Sequence, residues 1–175
     1  MKNIIRILAL LLTMLCVITA FAACSAENGG ADNDKNNGSA TKVEYYVNYK
    51  GTKIELDKKA DSVLSALGEA KNKASLGDCG GFGLQTRYTY DNLVIYTVKN
   101  DSGETIDQIS LASDLVETPK GICVGDTADD VIKAYGAPTI KNDTKIEYEN
   151  GSLILKFGIE SGEVKSINFI RITAK

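Results

Sequence analysis

Cysteine is the strongest nucleophile this sequence offers, and the chain has four, Cys16, Cys24, Cys79 and Cys123, in 175 residues that include no His. Without imidazole, Ser-His and Cys-His catalysis are excluded, as are His-ligated zinc and haem. Only scattered Lys could lower the pKa of a thiol here, so no catalytic residue is expected and the chain reads as a non-enzyme. Cys79 and Cys123 form an even pair, 44 residues apart. In an oxidising compartment they invite a disulfide worth up to about 4 kcal/mol on the chain-entropy argument; two unbonded thiols are the alternative. In a strand Cys123 would point away from the face of Ile122 and Val124, toward the loop that carries Cys79.

Three other groupings suggest chemistry and have plainer readings. Gly77-Asp78-Cys79-Gly80-Gly81-Phe82-Gly83 is dense enough in glycine for a phosphate cradle. It lacks the Gly-Lys-Ser/Thr entry to a helix, however, and is expected to be a loop with positive φ or close backbone approach. Asp126, Asp129 and Asp130 resemble a calcium cluster, but acids in a first helical turn also suit the helix dipole, and no metal is expected. Asp143, Glu147 and Glu149 alternate as on the solvated face of a strand, without the signature of a glycosidase pair.

The tyrosines carry the clearest functional hint. Tyr45, Tyr46 and Tyr49 fall in one expected strand, and Tyr88, Tyr90 and Tyr96 in the next hairpin, beside Arg87. Tyr with Arg is the composition of protein-binding surfaces, so Tyr46, Arg87, Tyr88 and Tyr90 are the expected binding face. The competing explanation is that aromatic residues favour strands. Nucleic acid is not an expected partner: beyond residue 23 the chain holds 18 basic against 23 acidic residues, and phosphate-backbone binding needs the opposite balance.

The elements that must position these residues occur twice. Ile54-Glu55-Leu56 and 60–68 (ADSVLSALG) align with Ile122-Cys123-Val124 and 128–136 (ADDVIKAYG) at a constant offset of 68. Tyr90-Asp91-Asn92 matches Tyr148-Glu149-Asn150 at 58, and Ile109 matches Ile167 at the same offset. About ten extra residues around Cys79 account for the change. Each copy predicts a short strand, an eight-residue helix with one apolar face, and a run of hairpin strands. Asp57 or Lys58 is expected to open the first helix, and a Thr127-to-Asp130 capping box the second; Gly68 and Gly136 end them. The predicted fold class is α+β: tandem βαβββ repeats, residues 42–117 and 118–175, forming an antiparallel sheet with short helices packed on one face.

Residues 1–23 read as an export signal: Lys2 and Arg6, an uncharged apolar run from Ile7, then small residues. Phe21-Ala22-Ala23-Cys24 resembles the lipobox of bacterial lipoproteins, a resemblance that implies cleavage before Cys24 and diacylglycerol on its thiol. Ala20-Phe21-Ala22 also fits ordinary secretion. Two acyl chains anchor stably where one does not, so the expected location is the outer face of a membrane, lipid-anchored, with no other cofactor. Residues 24–41 hold no large apolar residue and read as a tether. The repeat around 118–136 resembles the tandem fold of the β-lactamase inhibitory proteins, the small lipoprotein subunit of the outer-membrane assembly machinery, and lipoproteins of Gram-positive anaerobes. Fold does not transfer function. The expectation is therefore a surface-tethered module binding a protein or cell-wall partner, with a structural lipoprotein of an envelope complex or a small-ligand carrier as alternatives.

Overall fold

Tight turns set the architecture. Lys50-Gly51 (φ +49° and +78°) and Ser161-Gly162 (φ +53° and +79°) hold the paired positive φ values of the hairpin turn whose twist matches its strands. The first joins β1 (Tyr46–Tyr49) to β2 (Thr52–Glu55); the second joins β9 (Leu153–Glu160) to β10 (Glu163–Arg171). The structure, a computed structural model, describes residues 42–78 and 83–172. Its other elements are α1 (Ala60–Leu67), β3 (Asn72–Asp78), β4 (Leu84–Thr89), β5 (Leu93–Asn100), β6 (Gly103–Leu111), α2 (Ala128–Tyr135), β7 (Ile140–Asn142) and β8 (Lys145–Asn150).

Eight strands form one antiparallel sheet in the order β3-β4-β5-β6-β10-β9-β8-β7, with β1 and β2 as a separate pair. Each copy supplies four consecutive strands, and the copies meet where β6 pairs with β10. That register sets Ser110 opposite Asn168, Ile109 opposite Phe169 and Leu111 opposite Ile167. Since Ser110 and Asn168 are equivalent at the repeat offset of 58, a pseudo-two-fold axis passes through their pair. Local hydrogen bonds obey the same relation. Asp57 N–H donates to Ile106 O and Ile106 N–H to Lys58 O; Gly125 N–H donates to Val164 O and Val164 N–H to Asp126 O. Tyr90 Oη donates to Gly68 O (3.4 Å) as Tyr148 Oη does to Gly136 O (2.9 Å).

The expected α+β class is overturned. The chain is mostly strand, and its two described helices have eight residues each. They do not form a layer of their own. Inward side chains of the sheet (Leu93, Ile95, Ile109, Leu155, Phe157, Ile167, Phe169) bury against a mixed covering of Val47 and Ile54 from the β1–β2 pair, Val63 and Leu67 from α1, Val116 and Ile122 from the connection between repeats, and Val131 and Tyr135 from α2. Helices this short cannot blanket eight strands, so loop and hairpin complete the core.

Three local expectations also change. Residues 122–124 form no strand, because nothing precedes them in the way β1 precedes β2. Instead Thr118 N–H donates to Ile122 O and Gly121 N–H to Thr118 O, turning the segment on itself. Ile122 and Cys123 are both buried there, so the expected alternation of faces fails. The first helix begins after Lys59, without a side-chain cap. Asp57 instead takes a left-handed conformation (φ +62°) where the second copy has Gly125 (φ +96°). The extra residues of copy one lengthen the edge hairpin: β3 has seven residues, its counterpart β7 three. Gly77 and Gly83 both hold positive φ in that hairpin, and a Cβ at Gly83 would collide with Lys99 O.

The second helix has its capping box: Thr127 Oγ1 accepts from Asp130 N–H (3.1 Å), and Asp130 Oδ2 accepts from Thr127 N–H (3.2 Å). The Thr127 side chain and backbone hold the Asp130 carboxyl below the usual range. A depressed carboxylate stabilises the fold above its unfolded pKa, and that contribution is lost as pH falls through the lower folded value. Thr127→Ala is expected to cost about 1 kcal/mol near neutrality. Urea unfolding should show this difference shrinking as the pH drops below about 4.

Candidate functional site

Alternation along the strands sorts the sheet into two faces. On the side away from the core, cross-strand pairing sets up two rows. One runs Ala74, Arg87, Tyr96, Gln108, Ile170, Ile154, Glu149. The other runs Thr89, Val94, Ser110, Asn168, Lys156, Glu147. Every member from Arg87 to Ile154 in the first row and from Thr89 to Lys156 in the second is half-buried, Glu147 and Val98 on the same face are buried, and no described element packs over them. None of Val94, Tyr96, Ile154 and Ile170 joins the core cluster. This is the open face of the sheet, and the pseudo-two-fold axis crosses it at Ser110.

Its polar groups are arranged unevenly. At the axis, Gln108 Nε2 donates to Ser110 Oγ (2.9 Å), which lies 2.7 Å from Asn168 Oδ1. Toward β8, Glu147 is only 6 % exposed, with Lys145 Nζ 3.0 Å from its Oε2 and Lys156 Nζ 3.4 Å from its Oε1. Two ammonium groups thus share one shielded carboxylate. Toward β4, Arg87 sits beside Tyr96, makes no ion pair among the described residues, and has an Nε that is buried with no acceptor. A buried unmet donor costs about 1–3 kcal/mol, more when charged.

The four residues expected to form one binding face are therefore distributed over three places. Arg87 alone lies on the open face. Tyr88 and Tyr90 point to the core side and are buried. Their edges floor an open groove of about 470 Å³ with Leu64, Ala70 and Lys73. Burial raises both phenol pKa values, so both rings stay neutral. Tyr88 Oη donates to Glu104 (3.1 Å), and Lys73 Nζ stands 5.0 Å from its ring centre. Tyr46 lies on β1, with Lys53 Nζ 4.2 Å from its ring centre. It lines a second open groove of about 520 Å³ with Asn48, Asn92 and Pro119. Tyr96 was legible as a strand tyrosine; it takes its place beside Arg87 because it has the parity of Val94, not of Ile95.

The carboxylate candidates serve local structure. Asp126 Oδ2 accepts from Cys123 N–H (2.8 Å) and lies 3.4 Å from Cys123 Sγ, while Asp130 completes the cap of α2. No group of three or more metal-ligating side chains occurs among the described residues. Glu147 and Glu149 share the open face, and Asp143 lies in the exposed β7–β8 turn. Cys24, Cys79 and most of the glycine-dense loop lie outside the described residues, as do the export signal and tether. No described helix is long and apolar enough to cross a membrane.

Compared with known proteins, the chain matches no family model, no curated protein and no solved structure.

Adjacent residues on opposite faces provide a test of this geometry. Tyr88→Ala is expected to cost about 3 kcal/mol by opening the core. Arg87→Ala should not destabilise the fold, and should raise stability by about 1 kcal/mol as the unmet donor is removed. Chemical denaturation of the two variants against the parent measures both.

Proposed function

We propose that this chain is a lipid-anchored extracytoplasmic lipoprotein whose folded domain works by binding, not catalysis, holding a protein or other envelope partner against the open face of its sheet. The observation that carries the reading is Arg87: a guanidinium with an unmet donor, beside Tyr96, on a sheet face left outside the core. A partner supplying an acceptor to the outer guanidinium nitrogens and an apolar contact to Tyr96 would engage both side chains. The anchor rests on Phe21-Ala22-Ala23-Cys24 following the export signal.

The reading is preferred over a structural subunit of an envelope complex because the apolar members of the face form two islands, Val94 with Tyr96 and Ile154 with Ile170, divided by Gln108, Ser110 and Asn168. Obligate interfaces are more continuously apolar. It is preferred over a small-ligand carrier because both grooves open to solvent, whereas carriers enclose most of their ligand.

Two measurements test the proposal. Cys24→Ala should move the protein from the membrane fraction to the soluble one, with its labelling by fatty acid abolished. Cross-linking in intact cells should trap partners with the parent protein, and Arg87→Ala combined with Tyr96→Ala should lose them at unchanged thermal stability. Retention of the same cross-linked species by the double variant would remove the open face from the function.

A further inference from the structure

The first row of the open face runs from Arg87 on β4 to Glu149 on β8, with the β6–β10 seam at its centre. Its two ends carry opposite charge, and neither has an ion partner among the described residues. The two lysines of the face, Lys145 and Lys156, both lie on Glu147, and Glu149 is exposed beside them without an ion pair. Next inward stand Tyr96 on β5 and Ile154 on β9, one from each apolar island, and then Gln108 on β6 and Ile170 on β10. Strand for strand, the members of each pair are equally far from the seam.

We infer that the partner of this face is a second copy of the chain, laid face to face about a two-fold axis that runs along the β6–β10 seam. This pairing rests on the open-face reading above and names the partner that the face holds. Such an axis turns each strand onto its counterpart across the seam, β4 onto β8 and β5 onto β9. Arg87 of each copy then faces Glu149 of the other, Tyr96 faces Ile154, and Gln108 faces Ile170, every contact occurring twice. In the second row Val94 comes over the aliphatic stem of Lys156, whose ammonium stays on Glu147. Sheets stacked in this way lie about 10 Å apart with strands crossing at about 30°, within reach of a guanidinium and a carboxylate extended from the two sides. The other in-plane axis, across the strands, would turn β4 onto β4 and set Arg87 toward its own copy. The five inter-strand steps from β4 to β8 span about 24 Å, and strands about 20 Å long then give on the order of 500 Å² per copy, roughly 1,000 Å² for the pair. That is the lower end for a specific interface, so the association is reversible rather than obligate.

The test is sedimentation velocity of the full-length protein in density-matched neutral detergent, from about 5 to about 200 μM, where an interface of this size should pass from monomer to dimer. Arg87→Glu and Glu149→Arg should each weaken the dimer at least tenfold, since like charges then face one another. An equal mixture of the two variants should dimerise as the parent does, one copy supplying both carboxylates and the other both cations. Thermal unfolding checks that each variant is folded; should either fail, Arg87→Gln and Glu149→Gln replace the reversals, with the same direction expected. A parent that stays monomeric throughout, a dimer indifferent to the substitutions, or a folded pair of reversals that mixing does not restore overturns the inference. If the parent is monomeric while cellular cross-linking to another protein depends on Arg87 and Tyr96, self-pairing falls and the binding face stands; if neither is seen, both fall.

Discussion

The pairing of β6 with β10 is the constraint on which everything else depends. Alone, copy two is a four-stranded meander with one short helix and copy one adds only the β1–β2 pair, and a sheet of that size with so small a cover buries little. Joined across Ser110 and Asn168, the two meanders become one surface eight strands wide. The pairs flanking the axis, Ile109 with Phe169 and Leu111 with Ile167, then fall at the middle of the buried face. The core thus belongs to neither copy. An ionic clamp crosses the same seam: Arg171 of copy two donates Nε to Asp107 (3.1 Å) and Nη1 to Asp57 (3.0 Å), both in copy one. Desolvation outweighs this pairing and leaves the Asp107 pKa raised. The cost of desolvating Asp107 thus offsets part of what the clamp contributes to stability.

Among the described residues the sheet has one face covered and one uncovered. The covering is two eight-residue helices, one hairpin and a connection, all directed to a single side. On the other side Lys, Gln, Ser, Asn and Arg keep the surface soluble, and their placement differs between the halves although the backbone repeats. Near β8 the charges neutralise one another around Glu147; near β4 they do not.

Much of this was legible in the residues. The constant offsets identified the repeat, Gly68 and Gly136 marked the ends of its helices, and the Thr127 and Asp130 pair foretold the cap. What failed did so for physical reasons. Asn72 to Asp78 contains only Ala74 and Leu76 as apolar members, because an edge strand exposed on both sides needs no alternating pattern; β3 and the three-residue β7 therefore carry almost no signal. The 122–124 segment repeats the pattern of a strand, yet strands exist only with partners, and copy two lacks the preceding hairpin arm. The α+β class failed because two helices repeated in sequence suggest a helical layer, while their length permits only a share in a mixed one.

The expected binding face shows where composition stops and parity begins. Arg87, Tyr88 and Tyr90 looked like one surface because they are close in sequence. In an extended chain, however, closeness at odd separation means opposite sides. Tyr88 and Tyr90 have the parity of Leu93 and Ile95, through the pairs Tyr88–Ile95 and Thr89–Val94, and so enter the core. Arg87 has the parity of Tyr96 and therefore remains outside with it. Had the parity been the reverse, an unpaired guanidinium would lie inside the core at a cost no single domain of this size could bear. The same alternation that makes the tyrosines structural thus leaves the arginine on the outer face, with no ion partner among the described residues.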